Sequence, residues 1–307
     1  MSQTQTPTLP QTRVWTPAVP ASRWARTTAF VRRFVRTSPI GTVAALLLLL
    51  ICLIGIFADV IAPYDPLAAN FAATRREPSA QFLLGSDYLG RDVLSRLIHG
   101  ARVTLLVAIT SVLIGDTIGF AWGVASGYIG GRFDMLSQRL LDIMLSFPGL
   151  ILAILLMVAL GPRLETVIIA IAVSRVPLST RVIRSVVLSV KEFAYIEAAR
   201  SIGATSAGIM LRHIAPQCVA PLLVILSANL GTAIFAESAL AFLGIGVPEP
   251  TPTWGRMLGG VLSEAFRPPW WMVIFPGMAI TITIMAANLF GDALRDVLDP
   301  RLKRRID

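Results

Sequence analysis

The sequence predicts an all-α, polytopic membrane protein with six transmembrane helices. Three observations carry that expectation: too few charges for a water-facing globule, six long apolar runs, and a one-sided distribution of Lys and Arg. Of 307 residues, 55% are hydrophobic and 15% charged, with a mean hydropathy of +0.71, whereas a soluble domain is about one-quarter charged. Such a chain lacks the polar groups to cover a globule in water and the polarity of a disordered one. Cys52 and Cys218 sit far apart in apolar runs and form neither a disulfide framework nor a CxxC pair. His99 and His213 are too few for a His-rich metal site, so neither a metal nor a cofactor is expected.

A helix needs about 20 mainly apolar residues to cross a ~30 Å hydrocarbon layer. Runs near 40–61, 102–127, 140–160, 166–183, 217–246 and 271–291 meet that length. The first starts too late and runs too long for a cleaved signal peptide, so it is read as an anchor. With the N-terminus inside, 18 of the 27 Lys and Arg residues fall on the inner side and eight on the outer, while the acids divide evenly. The Lys/Arg bias sets topology, so both termini are expected in the cytoplasm of a bacterial inner membrane. The net charge of +9 is then an orientation signal, and nucleic acid is not expected as a partner. The organisation that follows is a cytoplasmic tail 1–38, an anchor 39–61, an extracytoplasmic loop 62–101, a five-helix core 102–291 and a cytoplasmic tail 292–307.

Residues 1–22, rich in Thr, Pro and Gln, carry no apolar period and read as disordered. From Trp24 to Arg36, Trp24, Phe30, Val31, Phe34 and Val35 share one helical side, opposite Arg26, Arg32, Arg33 and Arg36. That pattern suits either an interfacial helix on anionic lipid or a plain basic flank. In the second span Gly115, Gly119, Gly123 and Gly127 recur every four residues, giving a bare stripe along which another helix packs. In the third, Phe147-Pro148-Gly149 should kink the helix, and Arg139 and Asp142 are spaced to pair at its inner end. Asp116, Arg175 and Glu237 are ionisable groups inside spans. They read either as a solute path or as Arg–acid pairing that fixes helix register, with Asp116 near enough to the inner end to reach headgroups. The outer segment holding Pro248, Pro250, Pro252, Trp254, Pro268, Pro269, Trp270 and Trp271 reads as a cap on the outer mouth or as an aromatic belt.

Residues 184–216 form the inner segment between the fourth and fifth spans. A helix is expected from Val186 through Tyr195 to Arg200, ended by Gly203. A second short helix follows from Ala204 to His213, with Pro216 in the first turn of the next span. By physics alone this is either a knob that seats in a partner's groove or an ordinary long loop.

Glu197-Ala198-Ala199, with Gly203, Ile214 and Pro216, resembles the EAA loop of binding-protein-dependent ABC importer permeases. The likeness extends through Leu84-Gly85-Ser86-Asp87, Leu89 to Arg96, Phe147-Pro148-Gly149, Phe242 to Gly246, Pro252-Thr253-Trp254-Gly255, Asn288 to Asp292, Leu294-Arg295-Asp296 and Leu298 to Leu302. Together these resemble the C-type permease of dipeptide, oligopeptide and nickel importers over residues 36 to 304. Ala215, Gly208 and Val176 depart from the family pattern, the last standing where tryptophan is common, beside Arg175. The resemblance implies a type I ABC importer permease fold and a coupling loop in which Tyr195, Glu197, Ala198, Ala199, Gly203, Ile214 and Pro216 take part. It also implies a homologous second permease, two cytoplasmic ATPases, an extracytoplasmic solute-binding protein and a surrounding bilayer. Peptide is the expected substrate, with nickel, opine or another small solute as the alternative. Lys191 and Lys303 are the sole lysines and neither ends a GxxxxGK[ST] run, so ATP is expected to be hydrolysed on other subunits. A self-contained secondary transporter lacks support from any internal repeat, and an intramembrane enzyme lacks HExxH and GxSxG motifs.

Overall fold

Residues 23–264 and 267–298 are described by the computed structural model, and among them extended pairing is limited to an isolated bridge between Ser86 and Asp92. The helices are α1 (Arg23–Thr37), α2 (Pro39–Ile56), α3 (Ala58–Ile61), α4 (Val93–Ile129), α5 (Gly131–Leu145), α6 (Gly149–Leu160), α7 (Leu164–Val190), α8 (Ala194–Ser201), α9 (Ser206–Ile209), α10 (Val219–Phe242), α11 (Trp254–Glu264) and α12 (Trp270–Leu298). A wide turn at Met210–Ile214 and a tight one at Ala215–Cys218 join α9 to α10. Pro216 therefore lies in a tight turn just ahead of α10. Five units are long and apolar enough to span a bilayer: α2, α4, α7, Ser206–Phe242 and α12. A sixth exists if α5 and α6, bent by 87° to each other, are taken as one broken span.

The centre of the bundle is the parallel pair α4 and α7. A Cβ on Gly119 would lie 2.6 Å from Ser179 Cβ, one on Gly123 2.7 Å from the Thr180 carbonyl oxygen, and one on Gly127 2.9 Å from Val187 Cβ. Gly115 faces the Ala172 backbone in the same way. No hydrophobic drive joins helices inside lipid, so association rests on close van der Waals contact, and the glycines allow backbone to meet backbone. Bare positions recur around the pair: Gly41 of α2 abuts Ala293 of α12, Gly55 abuts the Arg102 backbone of α4, and Gly291 abuts Ser227 and Ala228 of α10. α2 lies on the rim, with Ile40, Val43, Leu46 and Leu50 facing outward. Arg102 fixes its end by donating to the carbonyls of Gly55 at 2.8 Å and Ile56 at 2.9 Å.

Several expected boundaries shift. α4 begins at Val93, nine residues before the expected edge, because Asp92 caps it: its carboxylate accepts from the Ser95 N–H at 2.7 Å and Ser95 Oγ at 2.6 Å. α7 runs on to Val190 and α12 to Leu298, so part of each flank expected to lie inside is helical. The helix expected through Val186 to Arg200 is broken at Lys191–Phe193. Residues 140–160 are not a kinked single helix, because the chain turns sharply at Ser146-Phe147-Pro148 and starts α6 afresh. Asp142 does not pair with Arg139; it accepts from Arg181 of α7, while Arg184 binds Asp134 through Nε at 2.6 Å. Two arginines one turn apart on α7 thus clamp α5 across the bundle, which the local i, i+3 spacing could not reveal.

Residues 62–92 form a folded plug at the Trp254 end. Asp87 accepts the N–H groups of Leu89 and Arg91 at 2.9 Å and Arg91 Nε at 2.6 Å. Ser86 Oγ accepts from the Arg76 N–H at 2.8 Å and donates to the Ala73 carbonyl. The plug is latched to the helices by Trp271 Nε1 donating to the Ser86 carbonyl at 3.2 Å and Tyr88 OH donating to that of Val261 at 3.0 Å. Trp254 donates to the Leu97 carbonyl at 2.9 Å. Trp254 and Trp271 are buried in protein, so they are packing and latch residues; Trp270 is exposed. At the opposite end α1 turns Phe34 onto Phe290, Ala293 and Val297, leaving Val31 and Val35 exposed beside Arg32, Arg33 and Arg36. Residues 1–22, the side chains of Trp24, Arg26 and Phe30, and the 299–302 motif lie outside the described residues.

Gly119→Ala is expected to destabilise the protein by about 1–3 kcal/mol through overpacking. Gly277→Ala, whose Cβ would meet nothing within 4 Å, should be neutral or slightly stabilising. Thermal unfolding of the two variants in detergent measures the difference.

Candidate functional site

Most of the residues singled out from the sequence gather in two regions: a cleft beside the middle of α7, and a knob at the α8 end. The cleft begins with the break before α6. Pro148 has no N–H to donate to the preceding turn, so the helix ends at Leu145 and α6 restarts at Gly149 without a side-chain cap. The restart opens a space of about 340 Å³ between α6, α7 and α10, lined by Gly149, Ser174, Arg175, Leu178, Asn229 and Thr232 among others. Arg175 sits near the middle of α7 and donates through Nη2 to Thr232 Oγ1 at 2.8 Å. Its Nε is buried without a hydrogen-bond partner.

Asp116 lies one layer behind. It is fully buried, and its carboxylate is engaged inside the bundle by α7 and α10 rather than turned outward to headgroups. Its carboxylate accepts from Ser179 Oγ and from Asn229 Nδ2 at 3.0 and 3.1 Å. Neither Asp116, Arg175 nor Glu237 belongs to any of the described ion pairs. Asp116 and Arg175 are close enough to attract each other, yet each spends its hydrogen bonds on neutral groups. Glu237 stands apart, buried near the Trp254 end of α10 beside the hydroxyls of Thr104, Thr253 and Ser238, the last at 3.4 Å. The three ionisable residues are therefore not one cluster: Asp116 and Arg175 share a site and Glu237 does not. The sequence reading missed Ser179, Asn229 and Thr232. Their one legible signal is that Asn229 and Thr232 stand three apart on one side of an apolar run.

The knob is built from α8 and the turn after it. Ile196 and Ala199 are buried against Ile183, Val187, Ile209 and Ile214, which seats the helix on the bundle. Its end is a Schellman closure, with the Ala204 N–H donating to the Ala199 carbonyl at 3.0 Å and the Gly203 N–H to that of Arg200 at 3.0 Å. Gly203 has φ +83° and open space around it, so its conformation, not crowding, calls for glycine. Tyr195, Glu197, Ala198, Gly203 and Pro216 are exposed; Ala199 and Ile214 face inward and position the rest. The exposed surface also contains Phe193, stacked obliquely on Tyr195 with centroids 5.9 Å apart, and Ile202, 86% exposed at the tip. Ile202 follows the last residue of α8, so Phe193, Tyr195 and Ile202 give the knob an exposed apolar surface.

A multi-span helical bundle with a charged mid-membrane cleft and a projecting helical knob describes a membrane transport subunit. Residues 119–304 match the family described as binding-protein-dependent transport system inner membrane component, and the chain belongs to that family. It is 41% identical over 277 residues to a glutathione transport system permease protein of Escherichia coli O1:K1, covering 89% of this chain and 90% of the relative. It is 42% identical over 264 residues to a di/tripeptide transport system permease protein of Pseudomonas aeruginosa UCBPP-PA14, covering 84% and 87%. A glutathione transport system permease protein of Pectobacterium atrosepticum is 40% identical over 277 residues, with 89% and 91% covered. The protein is a permease subunit of this multi-pass, inner-membrane type.

Asp116→Ala is expected to cost about 1–3 kcal/mol by stranding the buried donors of Ser179 and Asn229, whereas Asp116→Asn, which keeps an acceptor, should cost less. Denaturation of the purified variants ranks them.

Proposed function

We propose that this chain forms half of the translocation path of an ATP-driven importer of di- or oligopeptides. Its partners are a homologous permease, two ATP-binding cassette subunits and an extracytoplasmic solute-binding protein; it performs no catalysis itself. Both termini and the α8 knob face the cytoplasm, in keeping with the Lys/Arg bias of the sequence. One observation carries the coupling role: the α8 helix is held rigidly from beneath by Ile196 and Ala199 while offering Phe193, Tyr195, Glu197 and Ile202 outward. A helix seated in this way transmits a push, since displacing it displaces the ends of α4 and α7 on which it rests. The names of the relatives support peptide as the solute. The Gly115, Gly119, Gly123 and Gly127 stripe then keeps α4 and α7 moving as one body, with Arg175 on the path and Asp116 behind it.

In proteoliposomes holding the complete transporter, Ile202→Cys is expected to cross-link to an ATPase subunit, and no capture would refute the docking. Glu197→Ala combined with Tyr195→Ala should lower ATP-dependent dialanine uptake about tenfold or more, as loss of interface anchors does, with insertion unchanged. Gly203→Val should impair uptake more than Gly203→Asn, because asparagine tolerates positive φ.

A further inference from the structure

Arg175 is built differently from a charge that merely fixes helix register. A structural cation at this depth would be expected to pair with the nearest acid, since burying either alone is costly. Asp116 is instead engaged by Ser179 and Asn229. Asn229 itself lines the cleft, so the acid is screened behind it while the guanidinium reaches the cleft. Nε has no partner despite being buried, and buried donors left open call for an explanation. The wall opposite adds to the field: α6 begins at Gly149 and Leu150, both on the cleft, with no side chain capping its positive end. The remaining walls include Leu150, Leu178 and Phe235, which bring no charge.

We infer that this cleft is a carboxylate-binding subsite on the solute path, with Arg175 as its specificity-determining residue. A guanidinium fork matches a carboxylate in plane and hydrogen-bond count, and the start of α6 contributes further donors and positive potential. The inference rests on the importer reading and adds to it that the travelling solute carries a free carboxylate. Every peptide with an unmodified C-terminus satisfies that condition. Asp116, held at fixed distance behind, offsets the cost of keeping the cation in place without occupying its open side.

The test uses the complete transporter in proteoliposomes, with Cys52→Ala and Cys218→Ala removing this chain's own thiols, Leu178→Cys placing a reporter one turn from Arg175, and labelling read on this chain alone. Leu178 is 58% exposed and lines the same cleft. Rates of modification by an anionic sulfonatoethyl and a cationic trimethylammonioethyl methanethiosulfonate are each divided by those for free mercaptoethanol. The anionic reagent should be favoured about three- to tenfold with Arg175 present, as expected for one nearby charge in a partly screened site. Arg175→Gln should abolish that preference and Arg175→Lys should keep it. If Arg175→Gln does not fold, the ratio in the Arg175 protein decides alone. No anion preference, a preference unmoved by Arg175→Gln, or no reaction with either reagent overturns the subsite. For uptake, Arg175→Gln should raise the KM for dialanine about tenfold, the loss of one charge-assisted contact; an unchanged KM overturns the role in specificity. Absence of any ATP-dependent dialanine uptake by the unmodified transporter, with the reagent preference intact, would count against the peptide-importer reading and leave the anion-attracting cleft standing.

Discussion

The close approach of α4 to α7 is the constraint on which the rest of the bundle depends. Gly115, Gly119, Gly123 and Gly127 bring the two backbones together over about three turns, with Ala172, Ser179, Thr180 and Val187 filling the other side. Lipid provides no incentive for apolar side chains to leave it, so what holds these helices is contact density and the hydrogen bonds that short distance permits. The proximity also brings Ser179 to Asp116. With Leu in place of any of these glycines, α7 would stand off and the polar layer behind the cleft would have no floor.

The interior polar groups follow a consistent economy. Asp116 is wrapped by a hydroxyl and an amide, Glu237 lies among hydroxyls, and Arg175 leans on Thr232. Neutral partners meet these groups only in part, since Arg175 Nε and Glu237 Oε1 are buried without a hydrogen-bond partner, and none of the three is locked into contact with an opposite charge. The direct Arg–Asp pairs occur towards the ends: Arg181 and Arg184 with Asp142 and Asp134 near the knob, Arg91 and Arg96 with Asp87 in the plug. There the ion pairs tie loops and crossing helices to the bundle; the pair of Arg181 with Asp142 is open to water, whereas Arg96 and Asp87 are buried and rely on each other.

The two ends of the molecule are built by different means. At the Trp254 end, a loop rich in side-chain-to-backbone hydrogen bonds is latched by Tyr88 and Trp271, whose rings also pack with Leu84, Val93 and Val261. At the α8 end, a short helix rests on isoleucines and valines, and its rigidity comes from apolar packing. The break before α6 lies between the two and gives the bundle its opening: a continuous helix there would carry an ordinary apolar surface past Arg175.

The amino-acid sequence by itself determined the class, five of the six expected spans and the glycine that closes the short α8 helix. Those follow from one-dimensional properties, because a span is a run of apolar residues, a stripe is a period of four, and a Schellman glycine precedes a chain reversal. The close packing at the glycine stripe was legible for the same reason. What only the tertiary structure decided were the partners. Arg139 and Asp142 share a helix and a suitable spacing, yet Arg181 takes the acid from 39 residues away. Asp116, Arg175 and Glu237 look alike as charges inside apolar runs, yet Ser179, Asn229 and Thr232 separate their roles. The proline before Gly149 shows where a helix weakens, but whether it bends gently or turns through 87° depends on what surrounds it. Local pattern fixes what a residue offers; which groups stand within 3 Å of it is set by helices that meet only after the chain has folded.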